Sequence, residues 1–263
     1  MFGRGRRLPQ WPATPGIGAD QHLRESFDIL RRKWSEIPHG ELDRIRSERL
    51  LEMSDEQLLL DWSLARDHAS KGTAYSVRGW YQTLYKDIFR GRKVMDVGSG
   101  LAFDSIGYAE NGADLTFVDI SASNLEVIER LCRLKQLPRV RFCYLEDLRS
   151  LDALPDDYDA IYCQGSLINA PLDVTRLEAR ALLQHLPVGG RWIELAYPKE
   201  RWIREGRMPF DQWGAKTDGG APWMEWHDLQ TVLGFLAPAT FEVVFTVNFH
   251  NDDFNWFDLL RRS

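Results

Sequence analysis

Apolar residues along this chain recur at two periods. From His22 to about Glu36, Leu23, Phe27, Leu30 and Trp34 fall three or four residues apart, the spacing of a helix with one buried face, and Pro38-His39-Gly40 stops the run. A second helix is expected over Glu41–Met53. Ser54 followed by Gln57 forms a capping-box pair that opens a third, through about Arg66, with Leu58, Leu59, Trp62 and Ala65 on one face. Trp80, Leu84 and Ile88 predict a fourth helix ending near Arg90-Gly91. Beyond Gly91 the texture changes. Short β-type runs at Lys93–Val97, Leu115–Asp119, Val140–Tyr144, Ala160–Cys163 and Arg191–Ala196 alternate with helical stretches at Ala102–Asn111, Ala122–Gln136 and Val174–Leu186. That alternation predicts an α/β fold with a doubly wound, mostly parallel sheet. Thr240–Phe249 and Asn255–Leu260 are separated only by the turn His250-Asn251-Asp252-Asp253, too short for a crossover helix. They should pair antiparallel and complete a seven-stranded sheet.

The chain therefore divides into an arm over residues 1–20, rich in Arg, Pro and Gly, a helical cap over 21–90 and an α/β core over 91–263, interrupted by an insertion at 198–223. Composition narrows the function. A net charge of −6 on 263 residues excludes a generally basic nucleic-acid binder. Three cysteines, Cys132, Cys143 and Cys163, form no disulfide set and no metal-ligand spacing, so a reduced cytoplasmic setting without a metal centre is expected. No segment approaches the roughly 20 apolar residues that span a bilayer. A monomer or homodimer is expected. Ten tryptophans are the unusual count, and none lies between residues 81 and 191.

The segment Asp96-Val-Gly98-Ser99-Gly100-Leu-Ala-Phe103-Asp104 follows a strand and opens a helix, where a glycine turn lets a ligand approach the backbone. A dinucleotide fingerprint needs a small residue where Phe103 stands. The acid Asp96 at the strand end would repel a pyrophosphate but can accept from an ammonium group or hydroxyls. Asp104 reads as a cap of the following helix. This segment resembles the first motif of class I, Rossmann-like S-adenosylmethionine-dependent methyltransferases of the small-molecule type, (D/E)xGxGxG, with Ala102 in place of the last glycine. The resemblance extends over about residues 75–197 and implies S-adenosylmethionine as cofactor. It assigns Asp119, nineteen residues beyond Gly100, with Ile120, to the ribose hydroxyls; Asp147 and Leu148 to the adenine; and Gln164 and Gly165 to the methionine part. Arg78 is a candidate for the cofactor carboxylate.

Because such a donor carries the difficult chemistry, the acceptor should be read from the more variable parts. Asn169 lies towards the acceptor side. The 198–223 insertion holds Trp202, Arg204, Trp213 and Trp223 and is expected to act as a lid, since indole faces stack on polar rings while guanidinium groups bind oxygens. Candidate bases are Glu194, Tyr197, His227 and His250. The expected activity is methyl transfer to O or N of a small polar metabolite such as a sugar or cyclitol, in specialised metabolism. The alternatives are a nicotinamide-dependent oxidoreductase, which Phe103 disfavours, and a non-catalytic S-adenosylmethionine-binding protein.

Overall fold

A computed structural model describes residues 19–39, 43–71, 79–217 and 219–263. The core strands fall where the apolar runs place them: β3 (Lys93–Val97), β4 (Asp114–Asp119), β5 (Val140–Tyr144), β6 (Ala160–Gln164), β7 (Arg191–Ala196), β8 (Phe241–Phe249) and β9 (Phe254–Arg261). They form one seven-stranded sheet in the order β5-β4-β3-β6-β7-β9-β8. The first five run parallel, and β9 pairs antiparallel with both β7 and β8. The order reverses at β3, whose neighbours β4 and β6 leave a crevice above the strands' carboxyl ends, the place where open α/β sheets bind ligands.

Helices α5 (Phe103–Glu110), α6 (Ala122–Leu134), α7 (Leu172–Leu182) and α10 (Leu229–Leu236) cover the sheet. Each presents an apolar face: Leu125, Val127, Ile128 and Leu131 of α6, for example, are all buried. The insertion after β7 contains α8 (Lys199–Arg204) and α9 (Phe210–Thr217).

The amino-terminal region holds α1 (Ala19–Trp34), α2 (Ser47–Leu51), α3 (Asp55–Lys71) and α4 (Gly79–Ile88). The Ser54–Gln57 capping box is present, with Gln57 N donating to Ser54 Oγ at 3.2 Å and Ser54 N to Gln57 Oε1 at 3.1 Å. One expectation fails. The stretch Glu41–Met53 is not a single helix: β1 (Glu36–His39) and β2 (Asp43–Arg46) form an antiparallel hairpin before the short α2. Pro38, read from sequence as a helix stop, sits within β1. The reason is local, since Ile37 and Ile45 stand opposite one another on the hairpin and Ile37 is buried, an alternation too short to outweigh the helical spacing around it. The 1–18 part of the arm lies outside the described residues, and α1 begins at Ala19.

α1 lies like a strap across the ligand end of the sheet. His22 pairs with Asp173 at the start of α7, Arg31 donates to the carbonyls of Leu145 and Glu146 after β5, and Lys33 donates to Gly219 O of the insertion at 2.7 Å.

Candidate donor and acceptor site

The turn after β3 is shaped by steric need. Gly98 has φ +73°, its amide donates to Val118 O at 2.8 Å, and a Cβ there would overlap Ser166 Cβ. Gly100 (φ +55°) and Gly165 (φ +68°) share the left-handed conformation, but a Cβ on either would meet open space. The two glycines therefore leave unfilled space beside the backbone at β3's turn and at β6's end, as a closely approaching ligand requires. Ser99 is buried with its hydroxyl on Asp96 O at 3.0 Å.

Three carboxylates gather beneath this turn. Asp96 is 3% exposed, and burial, opposed by a hydrogen bond from Ser105 and reinforced by the Asp104 carboxylate, raises it to about 7. Asp119 at the end of β4 is raised by burial to about 6, against hydrogen bonds from Ser121 N (2.8 Å), Gly100 N (3.0 Å) and Asn124 Nδ2 (3.2 Å). Asp104, read from sequence as a helix cap, is instead buried and receives hydrogen bonds from Gln82 of α4 and from Tyr162 OH of β6. Its place under the turn makes it a candidate site residue that the sequence pattern left out. The only available signal was its position one residue into the helix that the glycine turn opens.

The turn after β5 is tied down by its own hydrogen bonds. Asp147 accepts from Arg149 N at 2.9 Å and caps the short helical turn that starts at Leu148. Ile120 is half-buried beside Asp119. The cap closes over this region, because Ser47 of α2 donates to Asn124 Oδ1 while Asn124 Nδ2 also reaches Trp34 O at 3.4 Å. Asn124 thus links the acid at the end of β4 to the amino-terminal cap. Neither it nor Arg31 stands in a motif that sequence alone singles out. Arg78 lies outside the described residues.

On the other side of β3, Gln164 donates to Tyr81 OH of α4, and Asn169 Nδ2 donates to Gly165 O at 2.8 Å. Two of the candidate bases form one unit: His227 Nδ1 lies 2.7 Å from Glu194 Oε1, and both residues are buried. Tyr197 O accepts from His227 N at 3.0 Å, with the Arg201 guanidinium 4.1 Å from the Tyr197 ring centroid. His250 stands apart at the β8–β9 tip, where His250, Asn251 and Asp252 all have positive φ. Within the insertion, Trp213 is fully buried and donates to Glu205 Oε2 at 2.7 Å, Trp202 donates to Met208 O, and Trp223 packs on Phe210 and donates to Glu225. Arg204 binds Asn251 O and the Asp253 carboxylate, so it holds the insertion against the hairpin tip.

Residues 94–190 match the family model described as a methyltransferase domain. The segment is thus similar to a methyltransferase domain, and the sheet built around it has the class I, Rossmann-like methyltransferase fold. Solved structures share that fold at low identity. The N-methyltransferase NodS from Bradyrhizobium japonicum, crystallised with S-adenosyl-L-homocysteine, is 15% identical with a TM-score of 0.55, over 82% of this chain and 97% of its own. The magnesium protoporphyrin IX methyltransferase ChlM from Synechocystis, also with that ligand, is 19% identical with a TM-score of 0.53, over 71% of this chain and 85% of its own. The [4+2]-cyclase SpnF has a TM-score of 0.56 at 15% identity, over 86% of this chain and 98% of its own. No curated protein matches the chain by sequence. Among the described residues no helix is long and apolar enough to cross a membrane, and no group of three or more His, Cys, Asp or Glu side chains is arranged to hold a metal ion.

Proposed function

We propose that this protein transfers a methyl group from S-adenosylmethionine to an oxygen or nitrogen of a small polar metabolite. The observation that carries the reading is the pair of left-handed glycines, Gly100 and Gly165, open to a crevice whose floor is the acidic trio Asp96, Asp104 and Asp119. When bound, the donor supplies an activated methyl on a cationic sulfur; the chain binds and orients it and keeps water out. Asp119 suits the two ribose hydroxyls, because a carboxylate accepts from both at once. The turn carrying Asp96, Gly98 and Ser99 suits the amino-acid end, whose ammonium group matches the negative charge there. Leu148 and the Asp147 turn stand at the adenine end, and Gln164 and Gly165 beside the methionine part.

The insertion at 198–223 is proposed as the lid of the acceptor side, a role supported by its attachments to α1 through Lys33 and to the hairpin tip through Arg204. Trp202, Trp223 and Asn169 are proposed to border the acceptor, with Trp213 holding the lid's interior. A cyclase shares this fold, so the fold by itself does not decide the reaction.

Isothermal titration with S-adenosylhomocysteine tests the reading, and absence of binding by the intact chain ends it. Asp119→Ala is expected to weaken binding at least about 10- to 100-fold, the worth of one of the two charge-assisted hydrogen bonds it removes. Affinity should also depend on pH through Asp96. Burial pushes its carboxyl up to about 7, and the ionised form binds an ammonium group much more strongly than the neutral acid does. Binding should therefore weaken below pH 7, by up to about tenfold per pH unit, and should release a proton on association. In the free protein the sign is opposite. The folded pKa lies above the unfolded value, so Asp96 subtracts stability as pH rises from about 4 to 7, and a cationic ligand offsets that loss.

A further inference from the structure

Polar atoms left over at the carboxyl ends of β6 and β7 form a pattern that donor binding does not use. Buried polar groups nearly always have partners, so a set without them marks a place for another molecule. Ser166 Oγ, Asn169 Oδ1, Trp226 Nε1, His227 Nε2 and Asn255 Oδ1 are buried without a hydrogen-bond partner among the described residues. Hydrogen bonds hold three of the carriers, Asn169, His227 and Asn255, and the chain neighbours of the other two, Ser166 and Trp226, to the adjoining strand ends and loops. Asn169 Nδ2 bonds Gly165 O, Gly165 N bonds Leu195 O, Glu225 N bonds Ile168 O, His227 N bonds Tyr197 O, and Asn255 Nδ2 bonds His227 O. None of the five carries a fixed charge.

His227 differs from the other four in being aimed by an acid. Its Nδ1 faces Glu194 Oε1 at 2.7 Å, while Glu194 Oε2 is held by Trp192 Nε1 at 2.9 Å. Phe235 of α10 packs edge-on against the imidazole, with ring centroids 5.3 Å apart. A carboxylate on Nδ1 selects the tautomer with its proton there and leaves the lone pair on Nε2. The orphaned atom is thus the one able to take a proton.

Resting on the methyl-transfer reading, we propose that His227 Nε2 is the general base for a hydroxyl acceptor, that Glu194 is its positioning residue, and that the acceptor is a neutral, polyhydroxylated small molecule held by Ser166, Asn169 and Asn255. The acceptor's O–H proton passes to Nε2 as an oxygen lone pair forms the bond to the methyl carbon. The carbon–sulfur bond breaks with its electron pair staying on sulfur, which becomes a neutral thioether. The imidazolium left behind is balanced by Glu194 and later returns its proton to solvent. The other titratable groups packed around the pair are Cys163 of β6, Glu178 of α7 and Glu225 two residues upstream, while α10 contributes the apolar Val232, Phe235 and Leu236.

Nitrogen NMR of the full chain labelled with ¹⁵N-histidine and saturated with S-adenosylhomocysteine near neutral pH tests the assignment. Expected are a protonated Nδ1 and an unprotonated Nε2 whose resonance moves when myo-inositol or methyl glucoside, two neutral polyols, is added. A doubly protonated ring, as a purely structural ion pair requires, or a proton on Nε2 instead overturns the base. A resonance unmoved by both polyols overturns the acceptor class. Glu194→Gln should move the proton to Nε2, because Trp192 Nε1 keeps the amide oxygen and leaves the amide NH2 facing Nδ1, while S-adenosylhomocysteine affinity stays within about twofold. In transfer assays on a hydroxyl acceptor, His227→Gln is expected to lower kcat about 10²- to 10⁴-fold with the donor KM unchanged; an unchanged kcat overturns the base. Failure of the wild-type chain to bind S-adenosylhomocysteine would sink the methyl-transfer reading instead, which separates the two failures.

Discussion

Gly98→Ala should cost this protein about 2–5 kcal/mol of stability and at least about tenfold in donor affinity. The estimate joins two independent penalties: about 1–2 kcal/mol for an L side chain held at left-handed φ, and about 1–3 kcal/mol for overpacking, since the new methyl overlaps Ser166 Cβ. Relief of that overlap would displace either the turn after β3 or the loop after β6, both of which belong to the proposed donor site. The double variant Gly98→Ala/Ser166→Gly separates the penalties. It should recover the overpacking part and leave the conformational part, read as two distinct midpoints in urea unfolding with a constant m-value. A double variant no more stable than Gly98→Ala would show that the overlap is not the cause. Gly100→Ala is the control for conformation alone, because its Cβ would meet nothing within 4 Å.

Asp258→Ala is expected to be the other large loss, about 3–5 kcal/mol, with donor affinity unchanged in the fraction that folds. Asp258 is fully buried on β9, opposite Ile193. It accepts from Arg191 through Nε at 2.8 Å and through the second guanidinium arm, and from Tyr85 OH of α4. Trp256 Nε1 donates in turn to Tyr85 OH at 2.9 Å. Burial, then the Asp258 charge, raises the Tyr85 phenol far above its usual range, so this hydroxyl remains a donor and loses its acceptor in the variant. Removing the acid strands a mostly buried guanidinium and a buried phenol together, the costly way to break such a pair. Asp258→Asn should cost less, since the amide oxygen still accepts from Tyr85. Chemical unfolding of the three proteins checks the order; an asparagine variant as stable as the wild type would show that the charge contributes little, and an alanine variant as stable as the asparagine variant would show that the remaining amide acceptor contributes little.

The β/α alternation was legible because each core strand is a short apolar run bounded by turn residues. Lys93–Val97, Val140–Tyr144 and Arg191–Ala196 stand with the ends their sequence implies. The antiparallel return of β9 followed from a loop too short to hold a crossover. The hairpin at residues 36–46 was hidden because four-residue strands carry only one or two inward positions each, while the flanking helices impose their own period. Ile37 and Ile45 identify themselves as partners only once they face each other.

The conformations and burial of Asp96, Gly98, Gly100, Asp119 and Gly165, the residues proposed for the donor, were legible because each answers a backbone or charge requirement carried by neighbouring residues. The contributions of Asp104, Asn124 and Arg31 were not, since each depends on an element distant in sequence: Asp104 on Gln82 and Tyr162, Asn124 on Ser47 and Trp34, and Arg31 on the carbonyls at 145 and 146. Glu194 and His227 were visible singly as candidate bases. Their union was not, because a separation of 33 residues has no period. The tryptophan-rich insertion likewise read as a surface that meets ligand, whereas Trp213 is spent on its interior.

The strap made by α1 also has a consequence for how the chain acquires its structure during synthesis. Its anchors lie 114, 151 and 186 residues downstream, at Leu145, Asp173 and Gly219. A chain emerging amino terminus first carries an amphipathic helix whose apolar side, Leu23, Phe27 and Leu30, has no finished surface to rest on until most of the protein has been made. α1 is therefore made before the surfaces it rests on and docks after them, and the crevice takes its final shape only when this early helix closes over segments translated much later.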